Sequence, residues 1–526
     1  MLTTALLSAL ALLQPSLVSA ATLRPLYEKT TTPSNATTAA VNTTTCAGNT
    51  YTYRALAGYG FVSGTARDKH GDTLGGLGSS IAIEHGSWKL RPTDNGTALY
   101  TGVLWALPDR GWNTNGTLNF IPRVHKLAVS FAPAEAAAAT KPNLQLEYLD
   151  TVLFSDPTGA PLTGLDPDAS GAIEFPGFPA LPVATYEGDG FGGDGPGGRR
   201  VSLDGEGLVL GADGSFWVSD EYGPFSAASA PIYDPSRLPI PEDPTSGRAN
   251  NQGFEGLTLS PDGTTLSVLV QSALMQDGGA GGKKSRRHAR LLQYDIAAPP
   301  ITTTTTTSTN ASSSISRQPT TPLKAEYVVP LPTFVNDDGK TRVAAQSEML
   351  ALGPTQFLVL ARDSGAGRAA GGTTRSLYRH VDVFDVGEAT DVGDVDADSV
   401  DGSVVTDAGE GVLADGVAPA RYCAWLDFNV EGQLARFGLH NGGVDDGGLL
   451  NEKWESLAVV PVLAAGGEVV EGEWFVISLS DNDFITQEGY MDGGRFEYKD
   501  ETGASLDNQA LVFRVGLERG LKPAGW

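Results

Sequence analysis

One unit recurs along this chain and limits the folds open to it: a glutamate, a small or flexible residue, then leucine-led alternating apolar positions. It reads Glu206-Gly207-Leu208-Val209-Leu210, Glu255-Gly256-Leu257-Thr258-Leu259, Glu348-Met349-Leu350-Ala351-Leu352 and Glu455-Ser456-Leu457-Ala458-Val459. A second apolar run follows each copy and closes on a polar cluster, at 216–221, 266–271, 357–363 and 474–481. A third run recurs at 291–295, 381–385 and 511–515. Turns such as Gly211-Ala212-Asp213-Gly214 and Ser260-Pro261-Asp262-Gly263 separate first runs from second runs. A weaker copy extends from Gly76 to Arg110. Short alternating runs are strands, and no strong amphipathic helix lies between them. Repeated multi-strand units headed by the same residue predict an all-β fold, a single β-propeller of five to seven blades. A β-sandwich does not require the same glutamate at the head of each unit.

The last copy reaches its third strand near Phe513 and the chain then ends, so the stretch 51–62 is expected to supply the fourth strand and pair the two chain ends. The chain has 2 cysteines, Cys46 and Cys423. In an oxidising compartment they form a disulfide tying the N-terminal strand to the late blades; two free, distant thiols are the other reading.

Residues 1–20 resemble a secretory signal, with an apolar run and a Val18-Ser19-Ala20 end but no basic start. Residues 21–50, rich in Thr, Asn and Ala, read as a disordered glycosylated lead-in, which leaves 51–526 as the propeller domain. Sequons at Asn35, Asn42, Asn95, Asn115 and Asn310 fit an extracellular, secreted protein. Two stretches read as insertions. The first, 278–322, ends in a threonine-rich tract expected to be a disordered loop, and the second, 386–416, reads as a surface excursion. The basic run from Lys283 to Arg290 is a solvated loop, a processing site or an anion patch. The balance of 36 basic against 62 acidic residues gives a formal charge of -26. Such a surface repels nucleic acid and anionic lipid and favours cations, although keeping a secreted chain soluble would suffice to explain it. No later stretch has transmembrane length without charges or turns. The expectation is a monomer acting on a small anionic or ester substrate, with no nucleic-acid or membrane partner.

Equivalent positions of propeller blades converge on the axis. Glu206, Glu255, Glu348 and Glu455 are therefore expected to form a carboxylate ring, with Asp109, Asp220, Asp363 and Asp481 nearby. Crowded carboxylates repel one another, and a hard cation with oxygen ligands, Ca²⁺ above all, compensates them. The expected metal ligands are Glu206, Glu255, Glu348, Glu455, Asp363 and Asp481; hydrogen bonding to neighbouring loops is the plainer role for any one of them. Arg110 and Arg362 are placed to neutralise part of the ring or to hold a substrate anion. The chain lacks G-x-S-x-G, H-E-x-x-H, a Walker loop and the R-H-G motif of histidine acid phosphatases. The glycine run 188–198 lacks the strand–helix context of a dinucleotide site and reads as a loop.

Several landmarks resemble the phytase-like family, the "esterase-like activity of phytase" domain. They are Gly75-Gly76-Leu77, Leu107-Pro108-Asp109-Arg110-Gly111, Asp204-Gly205-Glu206-Gly207, Val218-Ser219-Asp220-Glu221-Tyr222, Gly253-Phe254-Glu255-Gly256-Leu257, Leu360-Ala361-Arg362-Asp363 and Ser480-Asp481-Asn482-Asp483-Phe484. The resemblance runs from about Tyr51 to the C-terminus. Gln271 and Gly78-Ser79 depart from the acidic pattern. What the resemblance implies is hydrolysis of phosphoric esters, assisted by Ca²⁺ on the carboxylate ring, with Glu255, Asp220, Arg362 and Arg110 as catalytic residues. A propeller hydrolase of lactones or carboxylic esters, or a calcium-stabilised binding propeller without catalysis, would use the same ring.

Overall fold

The computed structural model describes residues 40–526 apart from 93–97, 113–115, 135–140, 169–171, 177, 179, 223–245, 250, 298–300, 310–311, 321 and 394–401. The signal-like segment and the sequons at Asn35, Asn95, Asn115 and Asn310 lie outside the described residues. Each repeat folds as an antiparallel sheet, because its apolar positions alternate and its turns carry Gly, Asp and Pro. The first strands are Ser80–Ile83, Gly205–Leu210, Phe254–Leu259, Ala345–Ala351 and Ala458–Leu463. Behind Ser80–Ile83 stand Ala98–Leu107, Arg123–Phe131 and Leu144–Leu153. Gly205–Leu210 pairs with Phe216–Asp220. Phe254–Leu259 leads Thr265–Val270, His288–Asp295 and Leu323–Pro330; Ala345–Ala351 leads Gln356–Arg362, Arg379–Asp385 and Arg421–Asp427. In the last sheet Ala458–Leu463, Val469–Leu479 and Asn508–Leu517 are followed by Asn49–Val62 and Asn42–Cys46. The chain ends pair as expected, with Tyr51 opposite Leu517 and Val62 opposite Asn508.

The apolar core is divided among the interfaces between successive sheets. Leu107 and Val124 of the first sheet pack on Leu208 of the second. Val209 of the second packs with Leu257 and Val268 of the third. Leu291 and Val329 of the third meet Met349, Phe357 and Phe384 of the fourth. Leu358 and Val381 of the fourth meet Val476 and Phe513 of the fifth. Val460, Phe475 and Val512 of the fifth pack on Leu104 and Leu127 of the first. Ile81, Leu208, Leu257, Met349 and Val459, one from each first strand, line a shared cavity of about 100 Å³ that Trp526 also lines.

The Cys46–Cys423 disulfide is formed. It joins the outermost strand of the last sheet to the outermost strand of the sheet before it. Beside it Asn42 Nδ2 donates to Trp425 O (2.6 Å) and Thr44 Oγ1 to Ala424 O (2.8 Å). These ties correct the expected lead-in: Asn42–Cys46 and the start of Asn49–Val62 are strand, because β-branched Thr43, Thr44 and Thr45 favour extended backbone beside the covalent anchor at Cys46. The Asn42 sequon thus sits in a strand, its side-chain nitrogen bonded.

Both expected insertions also need correction. Within 278–322, His288–Asp295 is the third strand of its sheet, with Arg290 buried between Asp277 and Glu326. The threonine tract forms a hairpin, Ile301–Thr309 against Ser312–Thr320, instead of a disordered loop, as the strand propensity of threonine favours. Within 386–416, Val392, Val404 and Val405 pack on Val328, so part of that excursion belongs to the core.

Candidate functional site

Three of the four repeated glutamates, Glu206, Glu255 and Glu348, sit where the first strand of a sheet slips register. The pairing of Gly205–Leu210 shifts between Gly205 and Gly207, that of Phe254–Leu259 between Phe254 and Leu257, and that of Ala345–Ala351 between Gln346 and Glu348. A bulge re-aims the side chain it carries, and here it carries Glu206, Glu255 or, just before Glu348, Ser347. The glycine after the glutamate has a packing cause. A Cβ on Gly207 would stand 2.5 Å from Leu257 Cβ, and one on Gly256 would stand 2.7 Å from Met349 N. Neighbouring first strands approach too closely there for any side chain.

Two acid sets result. In one, Asp204, Glu206 and Glu221 are all buried and offer oxygens within 4.8 Å of one another. Glu255 adjoins them, its Oε1 bonded by Gln271 Nε2 and its Oε2 without a donor. In the other, Asp109, Asp481 and Asp483 converge in the same way. Lys453 Nζ stands among them, 2.7 Å from Asp483 Oδ1, 3.0 Å from Asp481 Oδ2 and 3.8 Å from Asp109 Oδ2, and 3.4 Å from Glu455 Oε2. The turn that supplies this second set is held tightly. Asp481 Oδ1 accepts from Asp483 N and Asn482 Oδ1 from Phe484 N, and Asp483 and Phe484 take φ of 50° and 55°. Phe484 presses so closely on Gly75 that a Cβ there would lie 2.4 Å from its ring. The landmarks Gly75-Gly76-Leu77 and Ser480–Phe484 are thus one packed unit.

The expected ring is therefore not a single ring. Glu206 and Glu255 meet in the first set, Asp481 lies in the second, and Glu455 borders the second, ion-paired with Arg362. Glu348 stands apart because its oxygens are already used: Oε2 by Ser80 Oγ (2.5 Å), Oε1 by Leu257 N (3.1 Å) and Met349 N (2.9 Å). Asp363 likewise accepts from Ser376 Oγ (2.7 Å) and Leu377 N (2.6 Å). Asp220 accepts from Asp204 N (3.0 Å) and Tyr222 N (3.1 Å), which makes it a positioner of Asp204 and Glu221. Arg110 pairs with Asp204 Oδ2 (3.1 Å) and Asp166 Oδ1 (3.2 Å) and donates to Asn251 Oδ1 (2.8 Å).

Burial, then the charges of Glu255 and Asp204, pushes Glu206 well above the usual carboxylate range. Burial, then Glu221 and Glu455, does the same to Glu255. Burial moves Asp220 up to about 7, and burial with Asp204 moves Glu221 up to about 8. Burial alone lifts Glu348 to about 8 against its three donors. Burial opposes the charge on Lys453, but Asp481, Asp483, Glu455 and Asp109 hold the ammonium charged well above its ordinary range.

A cavity of about 670 Å³ borders part of this site. Lys453 and Arg362 line it, as do Gln271, which grips Glu255, and Asn251, which grips Arg110. Lys283, Arg286, Arg342 and Arg375 complete six basic residues on its walls, against Asp337, Asp338, Asp363, Glu452 and Asp483. The basic run at 283–290 is thus divided between cavity wall and buried strand; it is not a loop in solvent throughout.

Sequence reasoning missed Lys453, Asp204, Glu221 and Asp483 as site residues. No sequence signal singles them out: Asp483 takes a φ of 50° in a turn, and Lys453 gains its carboxylate partners only through tertiary packing.

A family model described as "Phytase-like: Esterase-like activity of phytase" matches residues 96–484. A protein of Arthroderma benhamiae described as an "Uncharacterized secreted protein" is 49% identical over 483 residues, covering 84% of this chain and 89% of that one.

Proposed function

Because this chain belongs to the phytase-like family, we propose that it is a secreted hydrolase of phosphoric esters, working with Ca²⁺ at the axial acids of a five-bladed β-propeller. The propeller reading rests on the five sheet-to-sheet core clusters, the last of which joins the final sheet to the first. The secreted description of the relative favours an extracellular site of action. No helix among the described residues is long and apolar enough to cross a membrane.

The observation that carries the activity is the gathering of six basic residues, among five acidic ones, on one cavity wall in a chain of charge -26. A lactone or carboxylic ester hydrolase calls for a more apolar mouth. Here the walls put guanidinium and ammonium groups where an anion would enter, and Arg suits phosphate oxygens by its forked geometry. Arg362 and Lys453 would orient the phosphoryl group from the floor. Glu255, gripped on one oxygen and free on the other, would hand a proton to the departing alkoxide while a carboxylate of the Asp204 set takes one from the attacking water. Calcium, when bound, supplies positive charge to phosphate oxygens and to water. Asp and Glu oxygens suit that ion, and the buried oxygens of Asp204 and Glu221 that lack donors fit it.

The test is phosphate release from phytate and from an aryl phosphate, with calcium and with chelator, for wild type and Glu255→Gln. Calcium-dependent release that falls about 100-fold or more in the variant is expected. Calcium uptake with no release at any pH from about 4 to 9 would overturn the reading in favour of a binding propeller.

A further inference from the structure

The two acid sets differ in how their oxygens are satisfied. Asp109, Asp481 and Asp483 surround an ammonium, and none of the three has a buried oxygen without a hydrogen-bond partner; Glu455 Oε2, which borders them, has no hydrogen bond but lies 3.4 Å from the same ammonium. In the other set Asp204 Oδ1 and Glu221 Oε1 are buried with no donor, and so is Glu255 Oε2 beside them. These side chains belong to residues only 1%, 3% and 2% exposed, so solvent does not make up the missing bonds. Orphaned buried carboxylate oxygens are costly, and natural structures leave few without a reason. Arg110 reaches Asp204 alone among these four acids, through Oδ2, and divides its charge with Asp166. The unsatisfied oxygens are all of one hard, anionic type with no nitrogen or sulfur among them, a donor set suited to Ca²⁺ rather than to zinc or copper.

We infer that this chain takes up a single divalent cation of the calcium type at Asp204, Glu206 and Glu221, with Glu255 beside them, and that the Lys453 ammonium fills the place of a second cation at Asp109, Asp481 and Asp483. The inference deepens the hydrolase reading. Lys453 is tethered, so one half of the site keeps its positive charge whatever the calcium supply. The other half is charged only when the ion arrives. A substrate anion would meet a permanent cation and a conditional one.

Equilibrium dialysis of the chelator-stripped full chain against calcium, without substrate, counts the ions directly. Wild type should hold one. Glu206→Gln should hold none at concentrations that saturate wild type, whereas Asp481→Asn should still hold one. Lys453→Met should hold two, since it leaves three convergent carboxylates with no ammonium. If that variant does not fold, judged by circular dichroism, the Glu206 and Asp481 pair decides alone. Two ions in wild type, no ion at all, or uptake lost in Asp481→Asn and kept in Glu206→Gln would overturn the assignment. Phosphate release is not used, so the two readings fail separately. Uptake of one ion without hydrolysis removes the hydrolase and keeps the site; hydrolysis in chelator without uptake removes the site and keeps only a hydrolase that works without calcium.

Discussion

Ser80 Oγ donates to Glu348 Oε2 over 2.5 Å and accepts from Leu208 N at 3.0 Å, so one hydroxyl links the first strands of three sheets. Ser80 belongs to the one copy of the repeat that carries no glutamate at its head, and its hydroxyl partners the glutamate of another. Ser80→Ala would leave the Leu208 amide and a Glu348 oxygen buried without that partner, a loss of about 1–3 kcal/mol. Urea denaturation should show a lower midpoint with an unchanged slope. A midpoint equal to wild type would mean that the link has no energetic weight.

The same glutamate gives the stability a pH dependence. Burial raises Glu348 to about 8 in the folded chain, against about 4.3 in an unfolded one. Between those values the folded state holds a proton that the unfolded state has released, so stability falls with rising pH. The contribution is complete below the unfolded value and is lost as pH climbs through about 8. Asp220, raised to about 7, and Glu221, raised to about 8, act in the same direction. In chelator, the denaturation midpoint should drop from pH 5 to pH 8 (values chosen at about the ends of that window). Glu348→Gln, which keeps the neutral shape, should flatten part of the drop. A midpoint that rises across the window would contradict the burial argument.

How much of this was legible beforehand differs by element. The repeat predicted the strands, and Phe513 with the stretch 51–62 predicted the pairing of chain ends, because alternation reports which face is buried. The disulfide pairing was foreseen as one of two readings. The glutamates were identified, but equal position in a repeat does not mean equal surroundings. Glu348 met backbone amides and Ser80, while Glu255 met other acids. Lys453 was invisible because its role depends on Asp109 and Asp483, remote in sequence and joined to it only by tertiary packing. The threonine tract was misread for another reason: polar composition suggested disorder, while β-branching favours the hairpin that forms.

The cavity's outer cations give a kinetic prediction. Arg342 and Arg375 line it and have no carboxylate ion pair among the described residues. Arg342→Ala or Arg375→Ala should raise KM for an anionic ester by about three- to tenfold with little change in kcat, the signature of lost binding that ground and transition states share. Raising the salt from about 0.05 to 0.5 M should shrink the difference, because exposed charges are screened. Equal losses in kcat and kcat/KM would place these arginines in the transition state instead.

The glycine after the repeated glutamate offers a structural test with an internal control. A methyl at Gly207 would stand 2.5 Å from both Leu257 Cβ and Ser219 Oγ, and 2.6 Å from Glu255 O. Relieving that overlap means moving the strand Phe254–Leu259, which carries Glu255, away from Gly205–Leu210, which carries Glu206. Gly207→Ala should therefore cost about 1–3 kcal/mol of stability, the usual range for overpacking. It should also weaken calcium uptake, since two of the acids would separate. Gly432 lies in the short helix Glu431–Leu434, and a methyl there would meet nothing within 4 Å. Gly432→Ala should be neutral or stabilising by up to about 1 kcal/mol through the unfolded state. Thermal denaturation and dialysis on both variants decide the matter. If Gly207→Ala matches Gly432→Ala in stability and uptake, close approach of the first strands does not position the acids.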